Sequence, residues 1–202
     1  MRARIPIAFT LAAILLACED HPAALAPDAA TAAAAAAPAI SASTASQVAA
    51  LRRLVAPFHD FEAASRAGWS TPITPCLVAG DLPSTPGSGA MGFHFGNLGF
   101  IQDGGVVDLL QPELLLYEPE QNGKLRFVGV EYIVPFSDHP ADADPPTLLG
   151  QEFAPVPEFG VWGLHIYVGR HNPSGMFAPW NPKVTCENAA SQGAAAGHHH
   201  GG

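Results

Sequence analysis

The sequence predicts an α+β fold, with an N-terminal amphipathic helix packed on a small antiparallel β-sheet that could curl toward a barrel. Three observations carry that expectation. Val48, Leu51, Leu54, Val55, Phe58 and Phe61 recur mostly three or four residues apart, the period of one helical face. Beyond Trp69 the pattern changes to short apolar runs separated by Gly, Pro, Asn and Asp, the punctuation of strands and turns. The connection Pro119-Glu120-Gln121-Asn122-Gly123-Lys124 contains Asn-Gly, a strong hairpin signal, and short connections favour antiparallel pairing.

Taken in order, Ser46 is placed to cap a helix opening at Gln47. Pro57 should kink or split that helix, because Pro lacks the N–H and clashes with the preceding turn. Gly68 suits its C-terminal stop. His59 and Asp60 lie beside the apolar stripe and read as a solvated face. Strands are expected at 91–95, 113–118, 125–134 and 161–168, with a weaker fifth at 106–110. Residues 137–157, rich in Pro and Asp, read as a long surface loop. Asn172-Pro173-Ser174-Gly175 reads as a β-turn, and Trp180-Asn181-Pro182 leads the chain back to Cys186.

The segment before the helix carries an address. Arg2 and Arg4 form a positive start, residues 5–16 are apolar apart from Pro6 and Thr10, and Leu15-Leu16-Ala17-Cys18 has the form of a lipobox. The apolar stretch is too short to span a bilayer, which needs ~20 residues. The expectation is cleavage before Cys18, acylation of its thiol and an extracytoplasmic, lipid-anchored place in the bacterial cell envelope. An ordinary secretory leader with a chance Cys is the alternative. In lipoproteins with this motif, an Asp after the acylated Cys favours inner-membrane retention. The residue in this chain is Glu19, which favours the outer membrane if the host has one.

Residues 1–17 are thus a signal peptide, and 18–45, mostly Ala, Pro, Ser and Thr, a tether. The Ala run has high helix propensity but no apolar face to dock. Residues 188–202 read as a flexible tail in which His198, His199 and His200 could chelate a metal weakly. That leaves 46–187 as one domain, a usual size for a single core.

The chain carries a formal charge of −9, and removing Arg2 and Arg4 with the leader makes it −11. Such a balance excludes nucleic acid as a natural partner and polybasic docking on anionic lipid. Acyl chains would be the membrane contact, leaving a small ligand or another envelope protein as partner. Of three cysteines, Cys18 takes the lipid, so Cys76 and Cys186 remain for a bridge in an oxidising compartment. Two free thiols, or one catalytic thiol, are the alternatives.

Four strings are further informative: Met91-Gly92-Phe93-His94-Phe95, Pro112-Glu113-Leu114-Leu115-Leu116-Tyr117-Glu118-Pro119, Val128-Gly129-Val130-Glu131-Tyr132-Ile133-Val134-Pro135 and His171-Asn172-Pro173-Ser174-Gly175-Met176-Phe177. Together they resemble a group of exported bacterial proteins of unknown function, over roughly residues 48–186. The resemblance implies export. It implies no activity, cofactor or fold.

Chemistry must therefore come from the residues. His94, Glu131 and His165 stand mid-strand in otherwise apolar runs. A carboxylate in such a run is costly unless a positive group or several donors meet it. By strict alternation Glu131 shares a face with Leu125, Phe127, Gly129 and Ile133, and His165 with Gly163 and Tyr167. His94 lies between Gly92 and Gly96, which would leave space around the imidazole. The sharp reading is one centre of two His and one carboxylate for a transition metal (zinc, iron or copper), with a position left for water or substrate. The bland reading is a structural network: Glu131 paired with a His or with Arg126, and hydrogen-bonded core histidines.

Other templates fit poorly. There is no Gly-x-Ser-x-Gly, no phosphate loop after Gly87-Ser88-Gly89, and no cupin His-x-His pattern near Gly89. Glu113 and Glu118 could pair with Glu131 as acid and base. Asp138, His139, Asp142 and Asp144 lack the order of a calcium loop. Ser174 beside His171 is a turn residue first, and Trp162, Tyr167, Phe177 and Trp180 read as core before groove. Three functions follow: an envelope-anchored ligand-binding lipoprotein that could hold a transition metal, a metal-dependent hydrolase or oxidoreductase using the same groups, or a partner-binding module without a small-molecule site.

Overall fold

A computed structural model of the chain describes residues 41–189. The leader, Cys18, the tether through residue 40 and the tail from residue 190, with its three histidines, lie outside the described residues.

Helix α1 (Ala42–Val55) starts before the expected Gln47, because Ser41 and not Ser46 caps it: the Ser41 hydroxyl accepts the Thr44 N–H at 3.1 Å. It thereby takes in residues assigned to the tether. Pro57 does divide the helical stretch. A 3₁₀ turn at Ala56–His59 follows α1, and α2 (Phe61–Arg66) restarts with Asp60 accepting the Glu62 N–H at 3.1 Å. Gly68, at φ +113°, ends it in a conformation that only glycine adopts freely.

The strands are β1 (Thr71–Val78), β2 (Ala90–Gly96), β3 (Leu114–Pro119), β4 (Leu125–Pro135), β5 (Thr147–Leu148), β6 (Gln151–Glu152), β7 (Ala154–Val156) and β8 (Val161–Ile166). Six of them form one antiparallel sheet in the order β1-β2-β3-β4-β8-β7, curled into a half-barrel, while β5 and β6 pair apart. The one-turn helix α3 (Leu98–Ile101) follows β2.

The four principal strands fall where the apolar runs place them. Residues 106–110 do not form a strand: Asp103 and Asp108 accept the N–H groups of Val106 and Leu110 at 3.0 and 2.8 Å, satisfying locally what a ladder would have satisfied. Residues 137–157 are not wholly loop, since they supply β5, β6 and β7. β1 was missed as well. It contains Pro72 and Pro75, and β7 contains Pro155; both strands are edges of the sheet. Pro is tolerated there and also discourages a further strand from pairing.

The sheet is apolar on both faces. On one, Leu51, Val55 and Phe58 of the helical segment pack against Tyr117, Phe127, Val130 and Ile166. The Tyr117 hydroxyl donates to the Phe58 carbonyl at 2.7 Å, which fixes the helical layer on the sheet. The other face carries a smaller cluster, including Leu77, Met91, Leu116, Val128, Tyr167 and Trp180. The C-terminal segment closes it, pairing Asn181 with Ala90 and ending in the Cys76–Cys186 disulfide, Cα–Cα 5.8 Å. The bridge settles the choice among the cysteine readings and fits an oxidising, extracytoplasmic compartment. No helix among the described residues is long and apolar enough to cross a membrane.

Candidate metal centre

Three strands bring the predicted side chains together. In the antiparallel register Glu131 on β4 lies directly opposite His165 on β8 and Leu114 on β3, so these residues project from one face. His94 on β2 lies opposite Leu116 of β3, which in turn faces Gly129, and its imidazole reaches across β3 to the same spot. His94 Nε2 is 3.2 Å and His165 Nε2 3.6 Å from Glu131 Oε2. The rings stand nearly perpendicular, with centroids 6.0 Å apart. The three residues are 2%, 7% and 6% exposed in chain order, and one ligand atom from each lies within 4.8 Å of the others.

Two local expectations need correction. Strict alternation fails on β4, because a bulge lies between Leu116↔Gly129 and Tyr117↔Phe127. Val128 is the extra residue and joins Leu116, while Phe127 and Leu125 turn to the helical face. Gly129 sits where a Cβ would come within 2.5 Å of the Ile166 carbonyl oxygen, so the bulge lets β8 approach closely. The glycines flanking His94 do not leave open space either. A Cβ at Gly92 would meet the Tyr117 carbonyl oxygen at 2.4 Å, and the room beside Gly96 is filled by Ile73 and Ile101. The glycine that makes room for the site is Gly163, where a Cβ would lie 3.0 Å from Glu131 Oε1.

Burial alone would push the Glu131 carboxyl up; the facing imidazoles of His165 and His94 outweigh it and hold the group below the usual carboxylate range. Burial pushes His165 down, against the pull of the Glu131 carboxylate, with the neighbouring His94 ring acting in the same direction as burial. His94 Nε2–H donates to Glu131, and His94 Nδ1 lies 2.8 Å from the Thr74 hydroxyl, which fixes the ring. His165 stacks on Tyr167, ring planes 14° apart, yet its buried Nε2 has no hydrogen-bond partner. The group therefore leaves one buried nitrogen unsatisfied.

Those features are what a cation would complete. Donors ~2.0–2.1 Å from a tetrahedral zinc are about 3.3–3.4 Å from one another, close to the observed 3.2 and 3.6 Å. Two neutral imidazoles and one carboxylate suit zinc, iron or copper. The Thr74 hydroxyl is the kind of outer partner that orients a metal-ligating His. A cavity of about 240 Å³ opens over the three side chains, with every strand of the main sheet contributing to its lining.

The remaining candidates lie elsewhere. Glu118 is held by Arg170 at 2.5 Å, Arg126 at 3.7 Å and the Thr185 N–H at 3.0 Å, tying the C-terminal segment to the hairpin. Arg126 therefore serves Glu118 and Glu120, not Glu131. Glu113 accepts the Ile133 N–H at 3.2 Å, and burial pushes its carboxyl up to about 8. Asp138, His139, Asp142 and Asp144 form no ligating group among the described residues. Asn172 accepts the Ser174 N–H in a turn. Trp162 packs in one apolar cluster with Phe177 at its margin, and Tyr167 and Trp180 lie in the other, so no shared aromatic groove results. Sequence reasoning missed Thr74 and the cavity walls from β1 and β7, because their prolines hide those strands.

No family model, curated protein or solved structure matches the chain.

Proposed function

We propose that this is an envelope lipoprotein, anchored through Cys18, whose domain binds one transition-metal ion through His94, Glu131 and His165. The observation that carries the reading is the buried Nε2 of His165, which makes no hydrogen bond and stands 3.6 Å from the Glu131 carboxylate. A purely structural network would be expected to satisfy that atom, because an unpaired buried polar group costs ~1–3 kcal/mol. The lipobox and the acidic mature chain support anchorage through acyl chains and argue against a nucleic-acid role.

The test is a zinc titration of the full chain carrying His198→Ala, His199→Ala and His200→Ala, so that the tail cannot bind. One ion per chain should be taken up. Thr74→Val should weaken affinity by ~10–100-fold, as loss of an outer partner does, and His165→Ala by more than that. Uptake unchanged by either substitution would contradict the assignment.

A second reading is favoured by the cavity. Three protein ligands leave a coordination position facing about 240 Å³ of space, as a metal-dependent hydrolase or oxidoreductase would require. Turnover lost on chelation and regained with metal would select it over a carrier.

A further inference from the structure

We infer that the cavity over His94, Glu131 and His165 takes a small apolar carboxylate, its charged end at the metal and its hydrocarbon toward the mouth. This inference rests on the metal reading above and adds to it the chemical class of the ligand.

Size comes first. An engineered apolar cavity of ~150 Å³ accepts benzene, and this one measures about 240 Å³. At ~30 Å³ per water-sized group, it holds about eight non-hydrogen atoms. The walls decide the body of the ligand. Leu77, Leu82, Met91, Leu114 and Val156 line the space, and beyond the three site residues only Thr74 and Thr85 bring polar side chains to it. The Thr74 hydroxyl is engaged with His94. No Lys or Arg lines the cavity, so a charged ligand would find its counter-charge only at the floor. At the mouth, Ile73 and Phe159 are 41% and 49% exposed, so the opening too is apolar.

Charge decides the head. A divalent ion held by two neutral imidazoles and the Glu131 carboxylate keeps one net positive charge in a buried place. A neutral ligand leaves that charge uncompensated, which is costly in low dielectric. A dianion reverses it. A monoanion cancels it, and a carboxylate oxygen is a suitable donor for the metals that this ligand set favours.

The experiment uses the full chain with the three tail histidines replaced by Ala, loaded with Co²⁺ and titrated with straight-chain carboxylates from acetate to octanoate. Binding is read from the visible Co²⁺ bands. Kd should fall about fourfold per added methylene until the cavity is filled near hexanoate, and level off thereafter. Alcohols of equal length should bind at least tenfold more weakly. Ala154→Trp, on the exposed lip, should keep Co²⁺ uptake and acetate binding while removing the chain-length dependence. Should that variant not fold, Phe159→Ala, at an exposed rim position, should weaken hexanoate about threefold or more and leave acetate unchanged. Equal affinity for acetate and hexanoate in Co²⁺-loaded protein overturns this inference and leaves the metal reading standing. No Co²⁺ uptake overturns the metal reading, and the inference with it.

Discussion

A carboxylate inside a β-sheet needs compensation, and at Glu131 two facing imidazoles supply it. His94 gives one hydrogen bond, and His165 faces the same oxygen with its buried Nε2 unsatisfied. Glu113, by contrast, is a buried carboxyl that solves the same problem by keeping its proton. Its pKa rises from 4.5 unfolded to about 8 folded. Between those values the folded chain holds one proton more than the unfolded chain. The stabilising contribution is therefore complete below pH 4.5 and is lost as pH rises toward 8, at up to about 1.4 kcal/mol per pH unit. Glu113→Gln should flatten the fall in thermal stability between pH 5 and 8 relative to the unaltered chain; an unchanged slope would contradict a protonated Glu113. At this scale the sequence was legible because each of the three site residues breaks an apolar run. Thr74 was not legible, since a threonine between two prolines carries no such signal.

At the scale of elements, the bulge on β4 decides where the site faces. It returns Val128 to the same side as Leu116 and brings β8 against Gly129, which sets His165 opposite Glu131. Gly129→Ala would place a methyl 2.5 Å from the Ile166 carbonyl oxygen, a backbone atom that cannot swing aside. The expected result is a loss of about 1–3 kcal/mol in denaturant unfolding, together with weaker metal binding as β8 shifts. Wild-type stability in that variant would mean that the close approach is not required. Periodicity alone could not reveal the bulge, because one inserted residue exchanges the faces of everything before it. The prolines that hide β1 and β7 are the residues that suit them to the sheet edges, so the same feature that protects the fold conceals it.

For the molecule as a whole, the helical layer covers one face of the half-barrel and the site occupies the other. The Cys76–Cys186 bridge fastens the C-terminal segment to β1, the strand that supplies Thr74. With a sequence separation of 110 residues, the chain-entropy model assigns such a cross-link ~4–5 kcal/mol, at the upper end of what disulfides contribute. Replacing both cysteines by Ser should lower unfolding free energy by about 2–5 kcal/mol; a change below about 1 kcal/mol would show that the cross-link does little to constrain the unfolded chain. The α+β class and the cysteine pair were legible because each rests on local spacing or simple counting. The cavity was not, since it arises from how six strands curl around shared space.

His94, Glu131 and His165 are proposed to form a metal site and not merely a polar network. The most direct test of that proposal is the metal content of the full-length protein with the three tail histidines replaced by Ala, purified after growth with added zinc. About one ion per chain should be found, lost when His165→Ala is added. A chain that folds with its disulfide intact and contains no ion, even after reconstitution with zinc, iron or copper, would contradict it.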